Sequence, residues 1–289
     1  MSSPARRAEL ANNLTLLHCG AEVVGLLASH DIDVVLLKGM ALLDDVYRVD
    51  ERTMSDVDLL VRPRDFEAAH RVLIGAGLRL YEERRRPRTT LRFHQRAYFH
   101  PRGCNIDLHR HFDEPGRWRI AVDELFARAE RHTLQGIATW RLCDIDTVLH
   151  LCIHLTKEEL GSLTWSVRDI ARLLGRRSID WETLVVRAGA WQCRTAAWLA
   201  LRLACNVYGA TVPQRVLRSL RPQALRRAYL AVWLSSQQDP AFRFLHWRRR
   251  RQLLLRAALL DTVGQRLADV AGVLGSRLAD CYTRSVDAT

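Results

Sequence analysis

The stretch ERTMSDVDLLVRP, residues 51–63, places two aspartates in a run whose apolar residues are typical of a buried strand. Successive side chains of an extended chain point to opposite faces, so Asp56 and Asp58 share one face. Two carboxylates held this close repel each other and raise each other's pKa. A divalent cation with oxygen ligands relieves that repulsion, so the pattern predicts a metal site. The alternative is a turn at the strand end in which both carboxylates are solvated.

A turn upstream of this strand is a second candidate site. The apolar run DVVLL (33–37) predicts a buried strand, Lys38-Gly39 follows, and a helix is predicted over 40–48. A strand, a glycine turn and a helix start together present free backbone N–H groups to an anion. The sequence has only two lysines among its 44 basic residues, and an ammonium is not equivalent to a guanidinium. Lys38 is therefore a candidate phosphate ligand, the alternative being a surface lysine at a strand end.

Two segments of alternating polarity, RFHQRAYFH (92–100) and CNIDLHRHF (104–112), flank the turn PRG and predict a β-hairpin. Asp107 lies on one face of the second strand, opposite its apolar residues. Bringing the apolar faces of both strands together requires a loop of even length, since a one-residue slip reverses one strand. That register predicts three basic residues on the same face as Asp107: Arg92, His94 and Arg96.

The charge distribution predicts two domains. Residues 1–150 carry 22 of the 44 basic and 22 of the 32 acidic residues, so residues 151–289, with 22 basic and 10 acidic, hold the entire net charge of +12. We expect a first domain with an N-terminal helix at 1–142 and a basic all-helical domain at 143–289. The basic run HWRRRRQLLLR (246–256) is either an anion-binding patch or a solvated helix face.

Several classes of protein are not indicated by the sequence. No apolar run approaches 18 residues and the first residues lack an apolar signal segment, so we expect a cytoplasmic protein with no membrane partner. The seven cysteines never form C-x-x-C and predict buried thiols in a reducing compartment, without a zinc site or a disulfide framework. There is no Walker A sequence, dinucleotide fingerprint or nucleophile elbow.

Taken together, these motifs resemble those of one known family. LLKGMALL (36–43), RTMSDVDLLV (52–61), IDLH (106–109) and, more weakly, HLCIHL with LTWSVRDIARLL (150–174) resemble the polymerase-beta-like nucleotidyltransferase superfamily. They are most similar to the bacterial family of uncharacterised nucleotidyltransferases. The resemblance covers about residues 15–175. It implies an α+β fold, in which a small mixed-sheet nucleotidyltransferase domain is followed by a helical domain.

The resemblance also implies an activity, the transfer of an NMP group from an NTP such as ATP to a hydroxyl or similar acceptor. Asp56, Asp58 and Asp107 match the carboxylates that bind two Mg²⁺ ions, for which Mn²⁺ is a substitute, and Asp107 would help to deprotonate the acceptor. The acceptor is a small molecule, a peptide or protein, or an RNA end, and RNA is not the favoured partner. The alternative is a non-catalytic basic protein that binds RNA or another polyanion on a degenerate scaffold, and Mg²⁺-dependent NTP binding distinguishes the two.

Seven residues are candidates for binding the nucleotide: Lys38, Gly39, Arg52, Ser55, Arg92, Arg96 and His109. The superfamily usually has Gly-Gly or Gly-Ser at its first motif, where this sequence has Lys38-Gly39, so the way in which the triphosphate is held is open. Three of the candidate site residues have ordinary alternatives. Arg52 could be a loop charge, His109 a histidine on the sheet face beside the site, and Asp107 a plain edge-strand residue.

Overall fold

A computed structural model describes residues 4–43, 45–81, 94–114, 116–157, 163–236 and 258–267. The described residues fall into two compact units. The first is drawn from Met1–Glu114 and Ile120–Thr147, and the second from Pro115–Arg119 and Val148–Thr289. The predicted domain boundary at 142/143 lies five residues before the end of the first unit.

The described part of the first unit combines four helices with seven short strands. Its helices are α1 Pro4–Ala28, α2 Lys38–Leu42, α3 Phe66–Gly75 and α4 Val122–Arg128. Its strands are β1 Val35–Leu36, β2 Val57–Leu60, β3 Arg79–Leu80, β4 Gln95–Phe99, β5 Asn105–His109, β6 Glu130–Leu134 and β7 Ile137–Arg141. The remaining named helices are α5 Asp144–Lys157, α6 Leu163–Arg176, α7 Trp181–Ala190, α8 Arg194–Tyr208, α9 Gln214–Ser219 and α10 Ala224–Ser236.

The seven strands form one mixed sheet in the order β3-β4-β5-β2-β1-β7-β6. The central strands β2 and β5 are parallel, β1 is antiparallel to β2, and β1 is parallel to β7. All four residues of β2 are buried, as the apolar run around the two aspartates predicts. The predicted α+β class is therefore confirmed, with a mixed sheet first and helices after it.

The hairpin β6–β7 was not predicted from the sequence, although its turn carries a recognisable signal. Leu134 pairs with Ile137, so the connection is the two-residue turn Gln135-Gly136. Both residues have positive φ, 48° and 85°, as a tight hairpin turn of this length requires. This hairpin extends the sheet beyond β1.

The predicted register of the hairpin β4–β5 is wrong. Ala97 pairs with Asp107 and Arg96 with Leu108, because five residues separate the strands, an odd number. Arg96 therefore points to the face opposite Asp107, where its guanidinium forms two hydrogen bonds of 2.9 Å to the carboxylate of Glu67 on α3.

Helix α1 is the N-terminal helix expected in the first domain, and its apolar residues are only partly buried. Leu17, Val24 and Leu27 are buried, whereas the exposed fractions of Leu10 and Leu14 are 37% and 47%. By length and composition alone, Arg6–Ala28 of this helix could cross a membrane. Half of the 18-residue window that meets this criterion is buried within the protein, and buried core helices meet it too, so this is weak evidence for a span.

Cys19 of α1 and Cys104 form a disulfide, which corrects the expectation that the cysteines are all thiols. The two residues are separated by 85 positions and come together only because α1 packs near the start of β5. Of the other cysteines in the described ranges, Cys152 and Cys193 are buried thiols, as expected.

The described chain is helical after β7, as predicted. Asp180 caps α7, because its carboxylate accepts hydrogen bonds from the backbone N–H groups of Glu182 and Thr183 at the start of that helix. Asp261 performs the same function for α8, accepting from the N–H groups of Arg194 and Thr195. Each cap satisfies donors that a helix start otherwise leaves without a partner.

Candidate active site

Two carboxylates are aligned at the centre of the sheet. Asp58 of β2 and Asp107 of β5 are register partners on neighbouring parallel strands, so their side chains leave the sheet on the same face. Asp56 precedes β2 by one residue and is half-buried. The Ser55 hydroxyl donates a hydrogen bond to Oδ1 of Asp56 over 3.1 Å, which places Ser55 at the edge of the same site.

His109 completes a compact group of metal-ligating atoms with Asp58 and Asp107. One ligand atom from each residue lies within 4.8 Å of the other two. His109 follows Asp107 by two residues on β5 and so shares its face, and its Nε2 lies 2.8 Å from Oδ1 of Asp58. Carboxylate oxygens suit Mg²⁺ and Mn²⁺, and an imidazole nitrogen suits Mn²⁺ or Zn²⁺ as well, so this donor set fits a divalent cation.

Lys38 lies directly against the carboxylates. Its Nζ is 2.7 Å from Oδ1 of Asp58, and the exposed fractions of the two side chains are 17% and 3%. The backbone of Lys38 has a φ of 46°, in the left-handed region that costs most residues about 1 kcal/mol or more. A conformation of this kind is kept only where the surrounding structure holds it, and here it aims the ammonium at Asp58.

The buried charges of the site depend on one another. Burial raises the pKa of Asp58, but the Lys38 ammonium and the hydrogen bond from His109 outweigh burial and hold that pKa well below its usual range. Burial lowers the pKa of Lys38, but attraction by Asp58, Asp56 and Asp107 raises it above its ordinary value. Asp56 differs, because burial and repulsion by Asp58 raise its pKa more than Lys38 lowers it.

Gly39 and Arg52 pack so closely that the glycine cannot be replaced without movement. A Cβ atom on Gly39 would lie 2.2 Å from Nη1 of Arg52 and 2.7 Å from Sδ of Met54. Arg52 also lowers the pKa of Asp56 through its charge, although burial and Asp58 raise it more. Arg52 therefore lies beside the predicted turn and the carboxylates, as a phosphate ligand would have to.

One predicted nucleotide ligand does not join this group. Arg96 pairs with Glu67 on the other face of the sheet, for the reason of register given above. Arg92 lies outside the described residues. The cations that the described structure brings to the carboxylates are therefore Lys38 and Arg52.

Three residues that support the site were not predicted from the sequence. Asn13 of α1 is fully buried, and its Nδ2 donates to the backbone carbonyls of Val49 and Arg52 over 2.6 and 2.7 Å. Its neighbour Asn12 donates to the carbonyl of Met54 over 2.8 Å. These bonds fix the loop that leads to Asp56, and the signal for them was a polar residue among the apolar residues of α1.

The third missed residue is Gln95 of β4. Its Nε2 donates a hydrogen bond to Oδ2 of Asp107 over 3.0 Å. Gln95 reaches Asp107 because the five-residue loop puts positions 95 and 97 on the same face as Asp107, which the predicted register did not.

The chain is similar to solved structures of nucleotidyltransferases. No curated protein matches it. Among solved structures, the solution structure of the antibiotic-resistance factor ANT(2'')-Ia aligns at 14% identity and a TM-score of 0.40, over 78% of this chain and 100% of that one. The crystal structure of an antigenic nucleotidyltransferase-like protein from Paracoccidioides brasiliensis aligns at 15% identity and a TM-score of 0.37, over 67% and 96%.

The sequence profile of a family described as "Uncharacterised nucleotidyltransferase" matches residues 3–209. This match spans more than half of the 289 residues and includes the Lys38-Gly39 turn, the strand of Asp58 and the strand of Asp107. The chain therefore belongs to the uncharacterised nucleotidyltransferase family and is a transferase.

Proposed function

We propose that the protein transfers an NMP group from an NTP to a hydroxyl or similar acceptor and releases pyrophosphate, with a divalent cation held by Asp58 and Asp107. The observation that carries the proposal is the alignment of these two carboxylates, with His109 and Lys38 in direct contact with Asp58, in a chain of this family. A plain solvated turn would not bury Asp58 to 3% exposure against a lysine and a histidine.

Each residue of the site has its own role in such a transfer. Asp58, Asp107 and Asp56 supply the oxygen ligands, and His109 either orients Asp58 through its Nε2 or adds a nitrogen ligand. A bound divalent cation would neutralise phosphate charge and polarise the reacting phosphorus centre. Asp107, oriented by Gln95, is the candidate to take the proton of the acceptor hydroxyl.

The triphosphate would be held at the turn between β1 and α2. Lys38 supplies an ammonium there, Gly39 allows close approach of the backbone, and Arg52 packs on Gly39 with its guanidinium beside Asp56. These are positioning and charge-neutralising roles, which make up most of the catalysis in phosphoryl-type transfers.

Labelling a cell lysate tests the proposed transfer and identifies the acceptor. The purified protein is incubated with Mg²⁺, a lysate and each of the four NTPs in turn, labelled at the α-phosphate. We expect one class of molecule to become labelled in the presence of the parent and not of Asp107→Asn. Equal labelling by the two proteins would remove Asp107 from the reaction, and no labelling with any NTP would contradict the transfer.

A second function, the binding of a polyanion, is favoured by one observation in the helical unit. Two adjoining cavities of about 560 and 620 Å³ share Trp198, Arg202, Asn206 and Arg221 in their walls. The guanidinium of Arg202 lies over the Trp198 ring, 5.5 Å from its centroid, and Arg218 and Arg227 line one cavity each. We call this feature the arginine groove. The basic run 246–256 lies outside the described residues.

A further inference from the structure

One oxygen of Asp58 already has two nitrogen partners. Nζ of Lys38 and Nε2 of His109 approach the same atom, Oδ1, over 2.7 and 2.8 Å. Both partners converge on a carboxylate whose exposed fraction is 3%, so the arrangement belongs to the interior of the site and not to its solvated rim. Oδ2 is the Asp58 oxygen that remains for a metal ion.

Because Lys38 and His109 already contact Oδ1, Asp58 can bind fewer metal ions. Two metal ions at a nucleotidyl-transfer site lie about 3.5–4 Å apart, so a carboxylate shared by both gives one oxygen to each. At Asp58, a second ion would have to displace the Lys38 ammonium from Oδ1 and break the hydrogen bond with His109. Both side chains would then be deprived of a charge-assisted partner inside the protein.

The surroundings keep Lys38 at this position. Its backbone is held at a φ of 46° at the start of α2, where the next residue, Gly39, is covered by Arg52 and Met54. The charges of Asp56 and Asp107 attract the same ammonium. Lys38 is therefore a fixed internal cation of the carboxylate group, and not a surface side chain that swings aside.

The charge balance of the site also argues against a second metal ion. Before a nucleotide binds, one divalent cation and the Lys38 ammonium already balance the three carboxylate charges of Asp56, Asp58 and Asp107. The Arg52 guanidinium, which acts on Asp56, adds a further positive charge. A second divalent cation would leave the site with surplus positive charge against the half-buried Lys38, at an energetic cost that a low-dielectric interior magnifies.

We propose that this site binds one divalent cation per chain and that the ammonium of Lys38 takes the place of the second ion. The proposal rests on the proposed function, because it concerns the cation of the same transfer reaction. It revises the two-ion arrangement that the family resemblance implies, and it gives a reason for a lysine where the superfamily usually has a glycine.

Counting Mn²⁺ ions by electron paramagnetic resonance tests the proposal without any activity measurement. The nucleotide-free protein is titrated with Mn²⁺, and ions that bind equally to Asp58→Asn are subtracted as unrelated to the site. We expect one ion per chain and no exchange coupling between ions. In Lys38→Met, which keeps the length of the side chain without its charge, we expect a second ion and the coupled signal of two neighbouring Mn²⁺ ions.

The outcomes separate this proposal from the proposed function. Two coupled ions in the parent, or a single ion in folded Lys38→Met, would overturn the role of Lys38 and leave the transfer reaction standing. No Mn²⁺ beyond the Asp58→Asn background would contradict the metal site and the proposed function with it. Lys38→Arg, which keeps the charge, should bind one ion like the parent, and the parent's own count decides the matter if Lys38→Met does not fold.

Discussion

Asp56 and Asp58 stand two residues apart at one end of β2, yet their surroundings shift their carboxyl pKa values in opposite directions. Burial raises both, repulsion from Asp58 adds to the increase at Asp56, and Lys38 with His109 reverses it at Asp58. The charged form of Asp58 is thus stabilised by folding, and the charged form of Asp56 is not.

The first prediction is that Asp58→Asn destabilises the protein whereas Asp56→Asn does not. Asp58→Asn removes a charge that contacts the buried His109 and the half-buried Lys38, at a cost of about 1.5–3 kcal/mol in the free energy of unfolding. Asp56→Asn removes like-charge repulsion and should leave that free energy unchanged or slightly higher. Urea unfolding at neutral pH measures both, and equal effects of the two substitutions would contradict the assigned environments.

The cost of Asp58→Asn should also depend on pH with a defined sign. Because folding lowers the pKa of Asp58, its contribution to stability is present above the unfolded value of about 3.9 and is lost as pH falls through the lower folded value. Because folding raises the pKa of Lys38, the ion pair between Lys38 and Asp58 persists up to about pH 10 and is lost as pH rises further. We expect a difference between parent and variant that is constant from about pH 5 to 10 and smaller at both extremes.

The second prediction concerns the replacement of Lys38 by arginine. A guanidinium is bulkier than an ammonium and prefers planar partners, so Lys38→Arg should bind NTP less tightly although the charge is kept. Loss of one charge-assisted hydrogen bond is worth about 1.5–3 kcal/mol, or roughly 10- to 150-fold in affinity. Isothermal titration with Mg²⁺ and NTP measures it, and an affinity equal to that of the parent would remove Lys38 from the triphosphate site.

The third prediction is that Gly39→Ala weakens nucleotide binding through Arg52. The new Cβ would lie 2.2 Å from Nη1 of Arg52, so the guanidinium must leave its place beside Asp56. Gly75→Ala is the matched control, since a Cβ there meets nothing within 4 Å at the end of α3. We expect NTP affinity to fall only in Gly39→Ala, and a similar affinity in both variants would show that the position of Arg52 does not matter for binding.

The strand of the candidate metal site was predictable from the sequence because its signal is local. Alternation along one extended segment is enough to put Asp56 and Asp58 on one face, and the buried neighbours mark the strand as central. The position of Asp107 followed from the same alternation on β5. Its alignment with Asp58 is a register between strands about fifty residues apart, which alternation alone does not determine.

The sequence-based predictions failed where contacts between distant parts of the chain decide the conformation. The face of Arg96 depends on whether the hairpin loop has an odd or even number of residues, and the pairing of Phe99 with Asn105 makes that number odd. Asn13 breaks the apolar pattern of α1 because it bonds to a loop some 36 residues away, and no periodicity within the helix reveals that partner.

The fourth prediction tests the hydrogen bonds of Asn13. Asn13→Leu keeps the size of the side chain but removes both donors, which leaves the carbonyls of Val49 and Arg52 without this partner at about 1–3 kcal/mol for a buried group. Asn12→Leu is the comparison, because Asn12 is exposed and makes one such bond. Thermal melts should show a clearly larger loss of stability for Asn13→Leu, and NTP affinity should fall with it as Asp56 and Arg52 become mobile. Equal melting temperatures in the two variants would contradict the role of Asn13.

The last prediction concerns RNA and the arginine groove. Arginine on the exposed face of an amphipathic helix is common as a plain solvated residue, and neither Arg202 nor Arg221 is needed to neutralise a nucleotide at Lys38 and Arg52. We therefore expect no tight complex with total tRNA at about 150 mM salt. If the groove did bind RNA, the logarithm of the affinity for single strands would fall with the logarithm of salt concentration by about 0.7 for each phosphate that the protein neutralises. A gel-shift titration at several salt concentrations measures it, with Arg202→Ala/Arg221→Ala as the variant and Arg187→Ala, on α7 outside the groove, as its control. Sub-micromolar binding with a slope of about −3 or steeper, abolished in the double variant and kept in the control, would overturn this expectation and make RNA the leading acceptor.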